Sequence, residues 1–98
     1  MQHIVRFRKE AETDIENASV WYEKQFLGLG HEFLDKIDES LDAIQNNPLM
    51  YPVVHRDTRR ALIGKFPFAI YYRILDGFII VVAVMHGSRN PLCWKERN

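Results

Sequence analysis

The sequence predicts an α+β fold in which an antiparallel helical hairpin packs on one face of a mainly antiparallel sheet of four to five strands. Two features predict it: residues 9–45 place apolar side chains at helical spacing around a glycine-containing break, and residues 68–85 form two apolar runs joined by Asp76-Gly77. Asp-Gly between apolar runs is a strong hairpin signal, because both turn residues must adopt positive φ. With 98 residues, the chain is expected to form a single domain spanning residues 1–98.

The N-terminal half is predicted to contain one strand and two helices. The segment His3–Arg8 alternates between apolar and polar residues, which indicates a short strand. A helix should follow from about Lys9 to Phe26. The apolar residues of this helix recur every three or four positions and are Ala11, Ile15, Ala18, Tyr22 and Phe26. After Gly28-Leu29-Gly30, a second helix over about His31–Gln45 should bury Phe33 or Leu34 together with Ile37, Leu41 and Ile44. Asn46-Asn47-Pro48 ends it, since proline cannot continue a helix.

The C-terminal half is predicted to supply the rest of the sheet. Its predicted strands are Val53–Arg56, Arg60–Lys65, Phe68–Leu75 and Phe78–Met85. Phe78–Met85 is apolar on both faces, so it should be an interior strand covered on both sides. The helices can cover one face only, and the chain's own C-terminus or a second protein must cover the other. Simple pairing across the turn places Tyr71 opposite Val82 and puts His86 on this second, more open face.

Charge is distributed unevenly along a chain that is neutral overall. Residues 1–50 carry ten acidic and five basic side chains, whereas residues 51–98 carry three acidic and eight basic ones. The acidic excess of the first half is explained by solvated helix faces. The basic excess of the sheet half predicts a surface for a phosphate-rich or acidic partner.

Composition argues against membrane, metal and nucleotide functions. The first twenty residues are too charged for a signal peptide, and the longest apolar run is far shorter than a membrane helix requires. One cysteine, Cys93, fits a reducing cytoplasm, which is the expected location. The four histidines lack metal-ligand spacing and no glycine-rich phosphate loop follows a strand, so neither a metal nor another cofactor is expected.

The C-terminal motifs resemble those of a known protein family. They are Arg59-Arg60-Ala61-Leu62, Phe66-Pro67-Phe68-Ala69-Ile70-Tyr71-Tyr72-Arg73, Val82-Ala83-Val84-Met85-His86-Gly87-Ser88-Arg89-Asn90-Pro91 and Trp94. In this order, after a strand and a helical hairpin, they resemble the RelE/ParE toxins of type II bacterial toxin–antitoxin systems, closer to the ParE-like, plasmid-stabilisation branch. The resemblance covers nearly the whole chain.

The resemblance implies a toxin held by a cognate antitoxin in a hetero-oligomeric complex. ParE-like members inhibit DNA gyrase, and hence replication, by binding alone. RelE-like members are metal-independent endoribonucleases that cut messenger RNA on the ribosome. A third alternative is a weakly toxic subunit that binds the antitoxin and serves in autorepression.

Ribonuclease chemistry requires a proton donor, a proton acceptor and cations for the developing phosphorane charge. His86, Arg60 and Arg89 are the candidate catalytic residues if the protein is a ribonuclease. The resemblance also shows departures: Ala69 stands where such enzymes carry an arginine, and Trp94 lies near the position of their terminal tyrosine. These departures favour the ParE-like function, with gyrase rather than ribosome and mRNA as the target.

The predicted contact residues fall into two groups. The target-binding residues are predicted to be Arg59, Arg60, Lys65, Arg73, His86 and Arg89, and the antitoxin-binding residues Trp21, Tyr71 and Trp94. Arg60, His86 and Arg89 are expected to form one cluster at the open edge of the sheet, because antiparallel pairing brings the strand ends together. The same residues also have structural alternatives. His86 is then a hydrogen-bonded histidine at a strand end, the stems of Tyr71 and Arg73 cover the open face of the sheet, and Trp94 is a hydrophobic plug.

Overall fold

The five strands and the two long helices follow one another in the predicted order, and a short C-terminal helix that was not predicted follows them. The computed structural model describes residues 3–97. Its elements are β1 (Ile4–Phe7), α1 (Lys9–Gln25), α2 (Leu29–Asn46), β2 (Val53–His55), β3 (Thr58–Leu62), β4 (Phe68–Leu75), β5 (Phe78–His86) and the short α3 (Leu92–Lys95). None of the helices within this range is both long and apolar enough to cross a membrane.

The five strands form one sheet in the order β1-β5-β4-β3-β2. β1 runs parallel to β5, and every other pair is antiparallel. The prediction that the strand beginning at Phe78 is interior is therefore confirmed. The turn before it is also as predicted, with positive φ at Asp76 (50°) and Gly77 (82°).

A close approach of backbone to backbone joins the two long helices. Gly28 has φ 88°, a left-handed conformation that glycine adopts without steric cost, and it ends the connection from α1. A Cβ atom at Gly30 would lie 2.4 Å from the carbonyl oxygen of Ser19, so only glycine fits there. The carboxylate of Glu23 accepts hydrogen bonds from the N–H groups of Gly28 and Gly30, at 2.9 and 3.0 Å.

The main core lies between the helical hairpin and the sheet. Phe33 of α2 is fully buried and contacts the rings of Tyr22, Phe66 and Phe68, with centroid distances of 5.2–5.4 Å. Phe33, and not Leu34, is thus the buried one of the pair. The prediction that Phe26 joins the buried stripe is wrong: α1 ends at Gln25, and Phe26 is 72% exposed.

The second face of the sheet is covered by the chain's own C-terminus. Trp94 of α3 stacks on Tyr71, with ring centroids 4.3 Å apart and planes inclined by 19°. Ala69, Val82 and Met85 are buried with them in a second, smaller core. The sequence left two alternatives for covering this face, the chain's own C-terminus and a second protein. The C-terminal segment covers at least the central part of the face.

A β-bulge in β5 changes which residues share a face. Tyr72 pairs with Val81, but Tyr71 pairs with Ala83, so Val82 is an extra residue without a partner opposite. From this point the register is shifted by one, and Val84 joins the core under the helices. His86, which pairs with Phe68, also points to the helix side. The prediction that His86 lies on the face of Tyr71 is therefore wrong.

An ion pair completes the edge of β5 where β1 has ended. Beyond Val81, no strand pairs with this edge among residues 3–97. The N–H of Val84 instead donates to Asp14 Oδ2 (3.0 Å), and the carbonyl of Val82 accepts from Arg97 (3.2 Å). Arg97 and Asp14 also bind each other, at 2.6 Å. Helix α1 and the C-terminus are thereby fixed to the bulged strand.

Candidate functional site

A groove between α1 and the end of β5 contains the best-placed candidate residues. We call it the His86 groove. It has a volume of about 220 Å³ and is lined by Asp14, Asn17, Ala18, Trp21, Phe68, Val84, Met85, His86 and Arg89. The bulge is its cause, because the shifted register turns His86 toward α1. A single uninterrupted ladder would have placed the histidine on the opposite face.

Ser88 holds the imidazole of His86 in one orientation. The backbone N–H of Ser88 donates to Nδ1 over 3.1 Å, and the Ser88 hydroxyl lies 2.7 Å from the same nitrogen. The ring also contacts the ring of Phe68, with centroids 5.7 Å apart. A nitrogen that accepts from a backbone N–H carries no proton itself, so the neutral ring has its proton on Nε2. His86 consequently offers a hydrogen-bond donor to the groove.

Arg89 is the unpaired charged side chain of the groove among the described residues. Arg89 is exposed, its N–H donates to the carbonyl of His86 over 3.0 Å, and its guanidinium has no partner within the described part of the chain. The carboxylate of Asp14 lines the groove as well, but Arg97 and the N–H of Val84 already bind it. The arrangement can therefore bind a carboxylate, a carbonyl or a phosphate through Arg89 and His86 together.

Three of the predicted target-binding cations are engaged within the domain. Arg59 donates to the carbonyls of Leu49 and Tyr51, at 3.2 and 2.6 Å, and so fixes the segment that precedes β2. Arg73 binds the carboxylate of Asp57 through two bonds of 2.9 and 3.0 Å. Lys65 forms an ion pair with Glu32 of α2. The basic excess of the sheet half thus overstates the charge available to a partner.

Arg60 lies on the face opposite to His86. It pairs with Tyr71 across β3 and β4 and shares the face on which Trp94 stacks. His86 and Arg89 instead line the groove beside α1. The predicted cluster of Arg60, His86 and Arg89 is therefore wrong as a unit, because the bulge in β5 rotates the strand end by one residue.

Trp21 alone of the three predicted antitoxin-binding aromatics is at the surface. It is 57% exposed on α1 at the rim of the His86 groove. Tyr71 and Trp94 are 2% and 4% exposed because they stack on each other. Both serve the second core in this structure, which corrects the view of them as free contact residues.

Sequence reasoning missed Ser88, Asp14 and Arg97. Asp14 did leave a signal: it falls three positions after Ala11 and four before Ala18, on the buried stripe of α1. A carboxylate on a buried stripe requires a partner. Ser88 and Arg97 gave none, since their contacts depend on the fold of the tail. In the range 3–97, no three His, Cys, Asp or Glu side chains are grouped as a metal site would require.

Comparison with known proteins identifies the family. Residues 5–91 match the family described as ParE toxin of type II toxin-antitoxin system, parDE. The chain therefore belongs to the ParE family of type II toxin–antitoxin toxins. A search of curated proteins finds no match.

Solved structures share the fold at low sequence identity. A chromosomal ParDE toxin–antitoxin system from P. aeruginosa has a TM-score of 0.74 at 14% identity, covering 87% of this chain and 96% of that one. A RelBE2 complex from Mycobacterium tuberculosis has a TM-score of 0.62 at 17% identity, covering 88% and 99%. An arginine-to-alanine double mutant of E. coli RelE in the free state has a TM-score of 0.66 at 12% identity, covering 99% of this chain and 98% of that one.

Proposed function

We propose that this protein is a ParE-like toxin that binds DNA gyrase, blocks replication without catalysing a reaction, and is neutralised by a cognate antitoxin. The observation that carries the proposal is the hydrogen bond from the Ser88 N–H to Nδ1 of His86, 3.1 Å long. It places the proton of the neutral ring on Nε2, so that this nitrogen is a hydrogen-bond donor. A general base needs a free lone pair on the nitrogen that faces its substrate, so this tautomer disfavours His86 as the base, whereas a binding site uses the N–H as a donor.

The distribution of the other candidate residues supports binding over RNA cleavage. Arg60 lies on the opposite face from His86, and Ala69 is fully buried at the position where ribonuclease relatives are expected to have an arginine. Trp94 is buried against Tyr71 and has no acidic proton to transfer. A phosphorane in the His86 groove would therefore meet one unpaired guanidinium, that of Arg89, where metal-free cleavage requires several cations.

The size and lining of the His86 groove suit a protein target. A volume of about 220 Å³ is below that of ordinary small-molecule sites, and matches one or two protruding side chains. Trp21 and Arg89 at its rim are residue types that supply much of the binding energy at protein interfaces. We infer that an acidic or carbonyl-bearing side chain of gyrase enters the groove against Arg89 and His86.

An antitoxin partner follows from the family and from the complexes in which its relatives are found. The P. aeruginosa and M. tuberculosis relatives are described as toxin–antitoxin systems or complexes. By analogy, this chain forms a hetero-oligomer with an antitoxin. Trp21, at the rim of the groove, is an exposed aromatic that such a partner would cover.

The test is to express the chain in a bacterium and follow DNA, RNA and protein synthesis separately. Loss of DNA synthesis first, with filamentation, and inhibition of supercoiling by purified gyrase are the expected results. Arg89→Ala, which removes a cation from the His86 groove, is compared with Arg60→Ala, which removes a cation from the opposite face. An immediate halt in translation would contradict the proposal. Unchanged synthesis of all three polymers would indicate the weakly toxic, antitoxin-binding subunit instead.

One observation favours the ribonuclease alternative: His86 and Arg89 share the groove, so a proton carrier stands next to a phosphate-binding cation. This alternative predicts mRNA cleavage on isolated ribosomes. It also predicts that His86→Gln abolishes activity, since glutamine transfers no proton. The gyrase proposal predicts a mild effect, since the glutamine amide still donates a hydrogen bond.

A further inference from the structure

A carboxylate lies in the His86 groove beside the guanidinium of Arg89. Asp14 and Arg89 both line the groove, and the side chain of Asp14 is only 16% exposed. An unbalanced negative charge at this position would oppose the anion that Arg89 is proposed to bind, because charges in a partly buried site are weakly screened by water. The affinity of the groove for an anion therefore depends on what balances Asp14.

Arg97 supplies the balancing charge from the C-terminal segment. Its Nη1 donates to Asp14 Oδ2 over 2.6 Å, and its Nη2 donates to Oδ1 over 3.3 Å. A planar guanidinium that binds both carboxylate oxygens makes one of the strongest ion pairs that side chains can form. Arg97 is 20% exposed, and within residues 3–97 it is the cation that the structure pairs with Asp14.

The backbone of β5 holds the Asp14 carboxylate in the groove independently of Arg97. The N–H of Val84 donates to Asp14 Oδ2 over 3.0 Å. No strand in the described part of the chain satisfies this donor, since β1 pairs with β5 only as far as Val81. Loss of Arg97 would therefore leave the negative charge in place instead of releasing it to solvent. Asparagine at this position would keep an acceptor for Val84 and would carry no charge.

Contacts outside the groove fix the position of Arg97. Trp94, three residues earlier, stacks on Tyr71 on the other face of the sheet, with ring centroids 4.3 Å apart. The carbonyl of Val82, at the bulge, accepts from Arg97 Nη1 over 3.2 Å. The C-terminal segment thus extends along the open edge of β5 and brings a cation to α1. Arg97 itself does not line the groove, so its effect there passes through Asp14.

We propose that Arg97 is a positioning residue for anion recognition: it neutralises Asp14, so that the charge of Arg89 attracts a carboxylate of the target. Without Arg97, Asp14 and Arg89 would compensate each other and the groove would lose its preference for an anion. The inference deepens the proposed function and rests on it for the identity of the target. The chemistry of the groove can be tested without gyrase, so the two can fail separately.

The probe is the acetylated, amidated peptide Gly-Asp-Gly, compared with the uncharged peptide Gly-Asn-Gly. Each is titrated at constant ionic strength to about 100 mM, the range of very weak binding, into the ¹⁵N-labelled protein, and the amide signals of Ser88 and Arg89 are followed. The unmodified protein is expected to bind the aspartyl peptide more tightly. Arg97→Met should weaken this binding by about fivefold, the effect of one unit charge several ångströms away near a protein surface. Equal affinity of the unmodified protein for the two peptides would overturn the proposal.

Charge rescue separates this role from a purely structural one. Asp14→Asn combined with Arg97→Met removes both charges and should restore the affinity for the aspartyl peptide to within about twofold. A purely structural ion pair would stay broken in the double variant and give no recovery. Asp14→Asn alone leaves Arg97 unbalanced and should tighten binding, which keeps the test available if Arg97→Met does not fold. Failure of either expected change would rule the proposal out.

The matched control is Arg73→Met. Arg73 binds Asp57 through two bonds of 2.9 and 3.0 Å, and it lies on the face of Tyr71. Its loss changes the net charge of the protein by the same amount and should alter binding of the aspartyl peptide by less than about twofold. Equal weakening by Arg73→Met and Arg97→Met would mean that net charge alone attracts the peptide, and the role assigned to Arg97 would be wrong. Charge rescue without inhibition of gyrase by the unmodified protein would contradict the proposed function alone.

Discussion

At the scale of single residues, hydrogen bonds to the backbone decide what two ionisable side chains can do. His86 has one nitrogen occupied by the Ser88 N–H, which leaves the proton of the neutral ring on Nε2. Tyr72 is fully buried beneath the helices and donates to the carbonyl of Pro48 over 2.6 Å. Burial raises the pKa of Tyr72 to about 12. In both cases a hydrogen bond to a main-chain group favours one protonation form of the side chain: the Nε2–H tautomer of His86 and the protonated phenol of Tyr72.

The tautomer of His86 is testable directly. At about pH 8, where an ordinary histidine is neutral, ¹⁵N shifts of the ring should show a protonated Nε2 and an unprotonated Nδ1. Ser88→Ala keeps the backbone N–H and should keep this tautomer, whereas Ser88→Pro removes the donor and should give a mixture. A proton found on Nδ1 in the unmodified protein would contradict the assignment.

Tyr72 predicts a loss of stability in alkaline solution. Its pKa is about 12 in the folded state against 10.0 ordinarily, so the unfolded chain loses the phenol proton first. Stability from this group is therefore complete below pH 10 and falls as the pH rises toward about 12, by on the order of 2 kcal/mol. Tyr72→Phe should remove this component of the pH dependence and cost about 1 kcal/mol at neutral pH through the lost hydrogen bond. Urea unfolding at several pH values measures both.

At the scale of elements, apolar periodicity predicts existence and order but not register. The helical hairpin and the two long strands were predictable because their apolar spacing is unambiguous, whereas β3 was predicted at Arg60–Lys65 and lies at Thr58–Leu62. The bulge at Val82 was not, because every residue of Phe78–Met85 is apolar and a slip of one position leaves no visible trace. The pairing of cations was equally hidden, since Lys65 and Arg73 find partners 33 and 16 residues away.

The contact between α1 and α2 predicts different outcomes for two glycines. Gly30→Ala would bring a methyl group within 2.4 Å of the Ser19 carbonyl, so the helices must separate; the free energy of unfolding should fall by about 1–3 kcal/mol. Gly64→Ala is the matched control, because nothing lies within 4 Å of its added Cβ. Its effect should stay within about 0.5 kcal/mol. Equal thermal and denaturant stability of the two variants would contradict the close approach.

At the scale of the whole molecule, the sheet separates two surfaces that the sequence had combined. One carries Arg60 beside the stack of Trp94 on Tyr71, and the other carries the His86 groove with Arg89 and Trp21. The sequence supplied the residue types of the proposed contact surface. It could not assign them to faces, because the assignment depends on one extra residue in β5. Matched variants on the two faces can therefore determine which face binds the target.

The two surfaces predict opposite effects for two arginine substitutions. Under the proposed function, Arg89→Ala should weaken inhibition of gyrase supercoiling by at least about tenfold, as removal of a central interface arginine commonly does, and Arg60→Ala by about twofold or less. Each variant loses one positive charge, and neither guanidinium has a partner among residues 3–97, so the free energy of unfolding should change by less than about 1 kcal/mol. Thermal unfolding checks that both remain folded. A larger loss from Arg60→Ala would move the target contact to the face of Trp94, and full activity of both variants would leave the His86 groove without a role in gyrase binding.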